Sequence, residues 1–167
     1  MANLITEGTR KGLSTVHSKD TLHCLLIPLQ EVKILLPNTA VAEVIAYVSP
    51  EPVENAPDWL LGNIIWRDEK VPLLCFELLV GKQERSVQRI AVLNTLNGNP
   101  DLPYMALAIQ GIPQLRLIQE AGIVVTETDS KTDAVAASID FAGESVLIPD
   151  LDALEQKLFA AKLYWAE

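Results

Sequence analysis

Few side chains in this sequence are suited to covalent or proton-transfer chemistry near neutral pH: two histidines, His17 and His23, and two cysteines, Cys24 and Cys75. His23 and Cys24 are adjacent, which suggests a base beside a nucleophile. Successive residues of a strand point to opposite faces, however, so these two side chains cannot readily meet. Cys75 lies between Leu74 and Phe76, an apolar setting that raises a thiol pKa and makes it inert. A small β-barrel hydrolase or thiol enzyme would need Cys75 and His23 to converge from distant parts of the chain. Two cysteines are too few for a disulfide framework or a CxxC metal pair, and both read as buried thiols. Asp150 and Asp152 could hold a cation, but capping of a helix and a favourable helix dipole account for the pair more simply. No group of His, Cys, Asp and Glu has metal-ligand spacing, so no metal or other cofactor is expected. The glycine-rich dinucleotide and phosphate loops and the GxSxG nucleophile elbow are also missing.

The elements that would position any site are short. From Leu22 onward the chain is a series of apolar runs rich in Val, Ile and Leu, separated by turn signals, which is the pattern of an all-β barrel or sandwich. The runs are Leu22 to Leu29, Val32 to Leu36, Ala40 to Tyr47, Asn63 to Trp66 and Val71 to Leu79. A second series comprises Arg89 to Leu96, Tyr104 to Ile109, Gln114 to Ile118, Ala136 to Phe141 and Ser145 to Ile148. Gln30-Glu31 and Asn97-Gly98-Asn99-Pro100 predict hairpins. The proline-rich stretch from Ser49 to Pro57 predicts a surface loop, because each proline lacks an N–H and fixes φ. Asp58 and Gly62 have the types of a helix start and stop, so a short helical turn is expected near 58–62. Asp150 predicts the cap of a final helix with Leu151, Leu154, Leu158 and Trp165 near one face. Residues 1–20 read as a loose arm, 21–158 as the folded domain and 159–167 as the end of the helix and a tail. The polar stretch Glu127 to Asp133 reads as an exposed loop.

The segment Ile64-Ile65-Trp66, its turn and the strand Val71 to Leu78 are similar to Ser138-Ile139-Asp140-Phe141, its turn and the strand Ser145 to Leu151. One reading is the general likeness of hairpins; the other is two similar barrels laid side by side.

Composition narrows the function. Twenty-two acidic residues against 13 basic ones give a net charge of −9, a field that repels phosphate backbones and anionic headgroups. Nucleic acid and membrane insertion are therefore not expected. No apolar stretch approaches the roughly 20 residues that cross a bilayer, and residues 1–20 lack the apolar core of a secretory signal. A cytoplasmic location is expected. With 167 residues and 49% apolar content, one domain with a sizeable core is affordable.

What remains is an all-β scaffold without a recognisable active site, whose function would reside in its surfaces. Asn55-Ala56-Pro57-Asp58-Trp59-Leu60-Leu61-Gly62-Asn63-Ile64-Ile65-Trp66-Arg67, followed by Val71-Pro72-Leu73-Leu74, resembles the signature of the CheW family of chemotaxis coupling proteins. Val41-Ala42-Glu43-Val44-Ile45 is similar to that family's V-x-E-I strand, and Ile139 to Leu154 to its closing strand and terminal helix. The resemblance implies two small five-stranded β-barrel subdomains sharing a hydrophobic seam. It also implies a non-enzymatic adaptor that couples the cytoplasmic tip of a methyl-accepting chemoreceptor to the regulatory domain of a CheA-type histidine kinase.

Carried over by position, Val41, Glu43 and Val44 would face the kinase, and Gly62, Arg67 and Asp68 the receptor. The residues themselves agree with a binding role. Arg67 offers a fixed fork of donors to a carboxylate, either within the protein or on a partner. Glu43 stands among apolar neighbours, where an unpaired buried carboxylate would be costly, so exposure at a contact surface is expected. Trp59 and Trp66 read as core residues or interface anchors. Two departures from the family pattern bear on partner choice: Asp68 replaces the glycine that usually follows the arginine, and Gln110 stands where many members carry aspartate.

Overall fold

The computed structural model describes residues 21–82, 87–119, 123–126 and 133–161. The expected arm over 1–20 with His17, the loop over 127–132 and Trp165 in the tail lie outside the described residues. Eleven strands form two sheets among the described residues. The first series supplies β1 (Leu22–Pro28), β2 (Lys33–Pro37), β3 (Val41–Ala46), β4 (Leu60–Trp66) and β5 (Glu69–Leu74). The second supplies β6 (Arg89–Asn94), β7 (Tyr104–Ile109), β8 (Gln114–Ile118), β9 (Ile123–Thr126), β10 (Val135–Phe141) and β11 (Glu144–Pro149). One helical turn, α1 (Phe76–Leu79), follows β5, and α2 (Leu151–Ala160) follows β11.

The expected hairpins form. Pro28 pairs with Lys33 across Gln30-Glu31, and Asn94 pairs with Tyr104 across the Asn97-Gly98 segment. Asp150 caps α2 by accepting from the Ala153 N–H at 3.0 Å.

Three expectations change. The helical turn near 58–62 does not form, although Asp58 and Gly62 have suitable types. The Leu60 N–H closes a turn on the Pro57 carbonyl at 3.0 Å, and the Cys75 N–H donates to the Trp59 carbonyl at 2.8 Å. Leu60 then begins a strand paired with Leu74 and is buried in the seam, so ladder pairing and burial outweigh the local cap signals. The helical turn occurs instead at Phe76–Leu79, within the run read as continuous from Val71, where Phe76 is drawn into the same seam. Finally, among the described residues the subdomains have six and five strands rather than five each, because Ile123–Thr126 adds β9 at one edge. In neither sheet do the two end strands pair with each other, so the curled sheets are not closed by backbone ladders.

The sheets share one wiring. In the order β3-β6-β7-β5-β4, hairpins β6–β7 and β4–β5 are joined by a parallel β5–β7 contact. In β8-β1-β2-β11-β10-β9, hairpins β1–β2 and β10–β11 are joined by a parallel β2–β11 contact. β8 holds the place of β3, and β9 flanks β10 as Glu51 bridges Asn63 on β4. The chain order is rotated between them: the second unit starts at β8, runs through β11, and is completed by β1 and β2. The similarity between the Ile64 and Ser138 hairpins is therefore topological as well. Both turn through two residues of positive φ, Arg67 (50°) and Asp68 (66°) in one, Ala142 (54°) and Gly143 (82°) in the other, as a type I′ turn requires.

Each sheet curls around its own interior. Ile64, Trp66, Val71, Leu73, Ile90 and Val92 line one; Cys24, Leu26, Leu35, Ile139 and Val146 line the other. Between them a third cluster draws Ile27 and Ile34 from one sheet, Leu93 and Leu107 from the other, and Phe76, Leu154 and Leu158 from the helices. This is the shared seam. At roughly 1.5–3 kcal/mol for each fully buried large aliphatic or aromatic side chain, it is a major source of cohesion between the subdomains.

Candidate functional site

The thiol and base that an enzymatic reading would require differ in setting. His23 is exposed on β1, while Cys75 is 1% exposed and its thiol donates to Glu77 Oε1 at 3.9 Å. Cys24 is turned to the opposite face of its strand from His23 and is buried, and burial pushes its thiol pKa up from the ordinary value. Among the described residues no group of three or more His, Cys, Asp and Glu is arranged to hold a metal ion. No described helix is long and apolar enough to cross a membrane.

Of the surface candidates, Glu43 and Arg67 come together, across the two end strands of the five-stranded sheet. Glu43 lies on β3, which carries a bulge between Val41 and Glu43. Its Oε1 accepts from Trp66 Nε1 at 2.8 Å and from Arg67 Nη2 at 3.3 Å. The Arg67 guanidinium carbon sits 4.5 Å from the centre of the Trp66 ring, and Tyr104 meets the same ring edge-on at 4.8 Å. One indole thus organises the cluster. A hydrogen bond to a charged acceptor contributes about 1.5–3 kcal/mol, whereas exposed ion pairs and exposed cation–π contacts are each worth about 1 kcal/mol or less. Arg67 is 69% exposed and Glu43 42%. Trp66 therefore holds Glu43 in place, and Arg67 is tethered lightly with donors left over.

Glu43 differs from the sequence expectation in being half-buried and paired, its cost of burial offset by the indole N–H. Arg67 finds its carboxylate within the protein, and Trp66 is a core residue whose polar edge reaches the surface. Val41 and Val44 are partly buried and pack against the seam. Exposed Tyr47 and Val48 follow β3 closely, and exposed Ile65 precedes Trp66 on β4. Ile65 belongs to the segment the sequence singled out, and side-chain alternation along β4 turns it to the face opposite Trp66.

Gly62 and Asp68 owe their places to backbone geometry. Gly62 has φ 141°, and a Cβ there would lie 2.3 Å from the Glu51 carbonyl oxygen. The close approach comes from the paired bonds between Glu51 and Asn63, 2.8 and 2.9 Å long, which pin the proline-rich loop onto β4. Asp68 occupies the second left-handed position of the β4–β5 turn, where glycine is the unstrained choice and Asp is tolerated.

Comparison with known proteins agrees with this architecture. A family model described as the CheW-like domain matches residues 23–158. Among solved structures, the scaffolding protein TtCheW from Thermoanaerobacter tengcongensis superposes with a TM-score of 0.67 at 20% identity, covering 78% of this chain and 85% of that one. A search of curated proteins gave no match. With two sheets around a common seam and a family match over most of its length, the chain belongs to the CheW-like family.

Proposed function

We propose that this protein is a non-enzymatic signalling adaptor that couples the cytoplasmic tip of a methyl-accepting chemoreceptor to the regulatory domain of a CheA-type histidine kinase. Membership of the CheW-like family and similarity to a protein described as a scaffold support the reading. In it, Val41, Glu43 and Val44 contribute to the kinase contact, and Gly62, Arg67 and Asp68 to the receptor contact. The observation that carries it is the Glu43–Trp66–Arg67 cluster: a partly solvated charged pair held on a rigid indole. Such a surface combines anchor and orientation, as protein-binding hot spots do. Because Glu43 and Arg67 touch, the two proposed contacts meet on one patch, and a partner carboxylate engaging Arg67 would loosen its hold on Glu43.

The test is binding of the purified chain to the kinase regulatory domain and to a receptor-tip fragment. Wild type binds both; Glu43→Lys weakens kinase binding and Arg67→Ala weakens receptor binding, each by about tenfold or more. Failure of the wild-type chain to bind either partner rejects the proposal.

A further inference from the structure

Two carboxylates in the helices are almost completely buried, and they stand in equivalent places in the two units. Glu77 is 1% exposed on α1, which follows β5 of the five-stranded sheet. Its Oε2 accepts the Gln30 N–H at 2.6 Å, and Gln30 sits in the β1–β2 turn of the other sheet. Glu155 is 0% exposed on α2, which follows β11 of the six-stranded sheet. Its Oε2 accepts the Leu96 N–H at 2.5 Å and its Oε1 the Asn97 side-chain amide at 3.1 Å. Leu96 and Asn97 lie in the β6–β7 connection, again of the opposite sheet. Asn97 also donates to Asp152 at 2.8 Å. Under the rotated wiring α1 corresponds to α2 and hairpin β1–β2 to β6–β7, so each unit reaches across the seam with the same device.

We infer that Glu77 and Glu155 are reciprocal clasps: each unit's helix holds the hairpin end of the other, and together they set the relative orientation of the two sheets. An apolar seam alone is poorly suited to this, because hydrophobic contact is non-directional and tolerates sliding. A buried carboxylate is directional, and the donors of the opposite turn offset part of its desolvation as long as they stay in position. The Glu155 clasp also joins two walls of one groove of about 550 Å³, lined by Leu36, Pro37, Asn94, Leu96, Ile148 and Asp152. A shift of the hairpin would change the shape of that groove. Both residues are positioning residues, and the inference stands whether or not the adaptor reading does.

The distinguishing measurement is amide hydrogen exchange in the full chain, combined with residual dipolar couplings that report the angle between the sheets. Glu77→Gln lies in one unit, yet the expected change is in the other: exchange at Gln30 rises by about tenfold or more while Ile90 and Leu107 stay protected. Glu155→Gln raises exchange at Leu96 in the same way. In each variant the couplings within a sheet fit the wild-type geometry, but a single orientation no longer fits both sheets. Should a glutamate variant fail to fold, Asn97→Ala removes a partly exposed donor of the same clasp and is expected to give a smaller change at Leu96. Unchanged exchange at the turns, acceleration spread evenly over both sheets, or couplings that still fit one rigid body would overturn the inference.

Discussion

Glu43 and Arg67 are 24 positions apart in sequence and 3.3 Å apart at their charged atoms, with the Trp66 indole shared between them. The relationship depends on the curl of one sheet, which brings its two end strands, β3 and β4, side by side.

The first prediction concerns how that pair is held. A double-mutant cycle between Glu43→Gln and Arg67→Ala, read by urea denaturation, should give a coupling below about 1 kcal/mol, because both charges are partly solvated. Trp66→Phe removes the shorter hydrogen bond and core volume together, so it should cost more, about 2–3 kcal/mol. A larger loss from Arg67→Ala than from Trp66→Phe would contradict the assignment of the indole as the organiser.

Gly62 provides a second test. Any side chain meets the Glu51 carbonyl in a backbone conformation that L residues rarely adopt. Gly62→Ala should destabilise by about 2–4 kcal/mol and release the proline-rich loop. Rising exchange at the Glu51 and Asn63 amides would report that release, and a neutral variant would show that the loop does not rest on β4 in solution.

The β4–β5 turn gives a third. Asp68 has φ 66°, so Asp68→Gly should stabilise by up to about 1 kcal/mol, and Asp68→Val should destabilise by a similar or larger amount. Thermal melting distinguishes the three proteins. Receptor-fragment binding by Asp68→Gly then shows whether the departure from glycine alters partner choice.

The fourth concerns the thiols. Desolvation raises the Cys24 pKa above its ordinary value of 9.0, so the folded state retains a proton that the unfolded state releases. The resulting stability is fully present below about pH 9 and is lost as pH rises through the folded value. The stability difference between wild type and Cys24→Ala should therefore shrink between pH 8 and pH 10. Alkylation of native protein at pH 8 should be slow at both Cys24 and Cys75 and become fast in denaturant.

Most strands are legible in the chain, because aliphatic runs bounded by Pro, Gly and Asn leave few alternatives to a short strand. β9 carries a readable signal in Ile123-Val124-Val125-Thr126, but the run is short and borders a long polar stretch. The helix expected near 58–62 shows the opposite failure: its cap residues are right locally, yet pairing of Leu60 with Leu74 and burial in the seam outweigh them. Glu77 and Glu155 are not legible as special, since a glutamate in a helix ordinarily faces water.

Local residue types and periodicity are enough to dictate the all-β class, the paired hairpins, the capped C-terminal helix and the scarcity of catalytic groups. The family resemblance around Gly62 and Arg67 is likewise written in the chain. Which charges meet is a property of the folded molecule alone: Glu43 and Arg67 share an indole, and Glu77 and Glu155 reach into the opposite sheet. Those contacts depend on sheet curl and on the rotated wiring of the two units, and neither is encoded in residues close together in the chain.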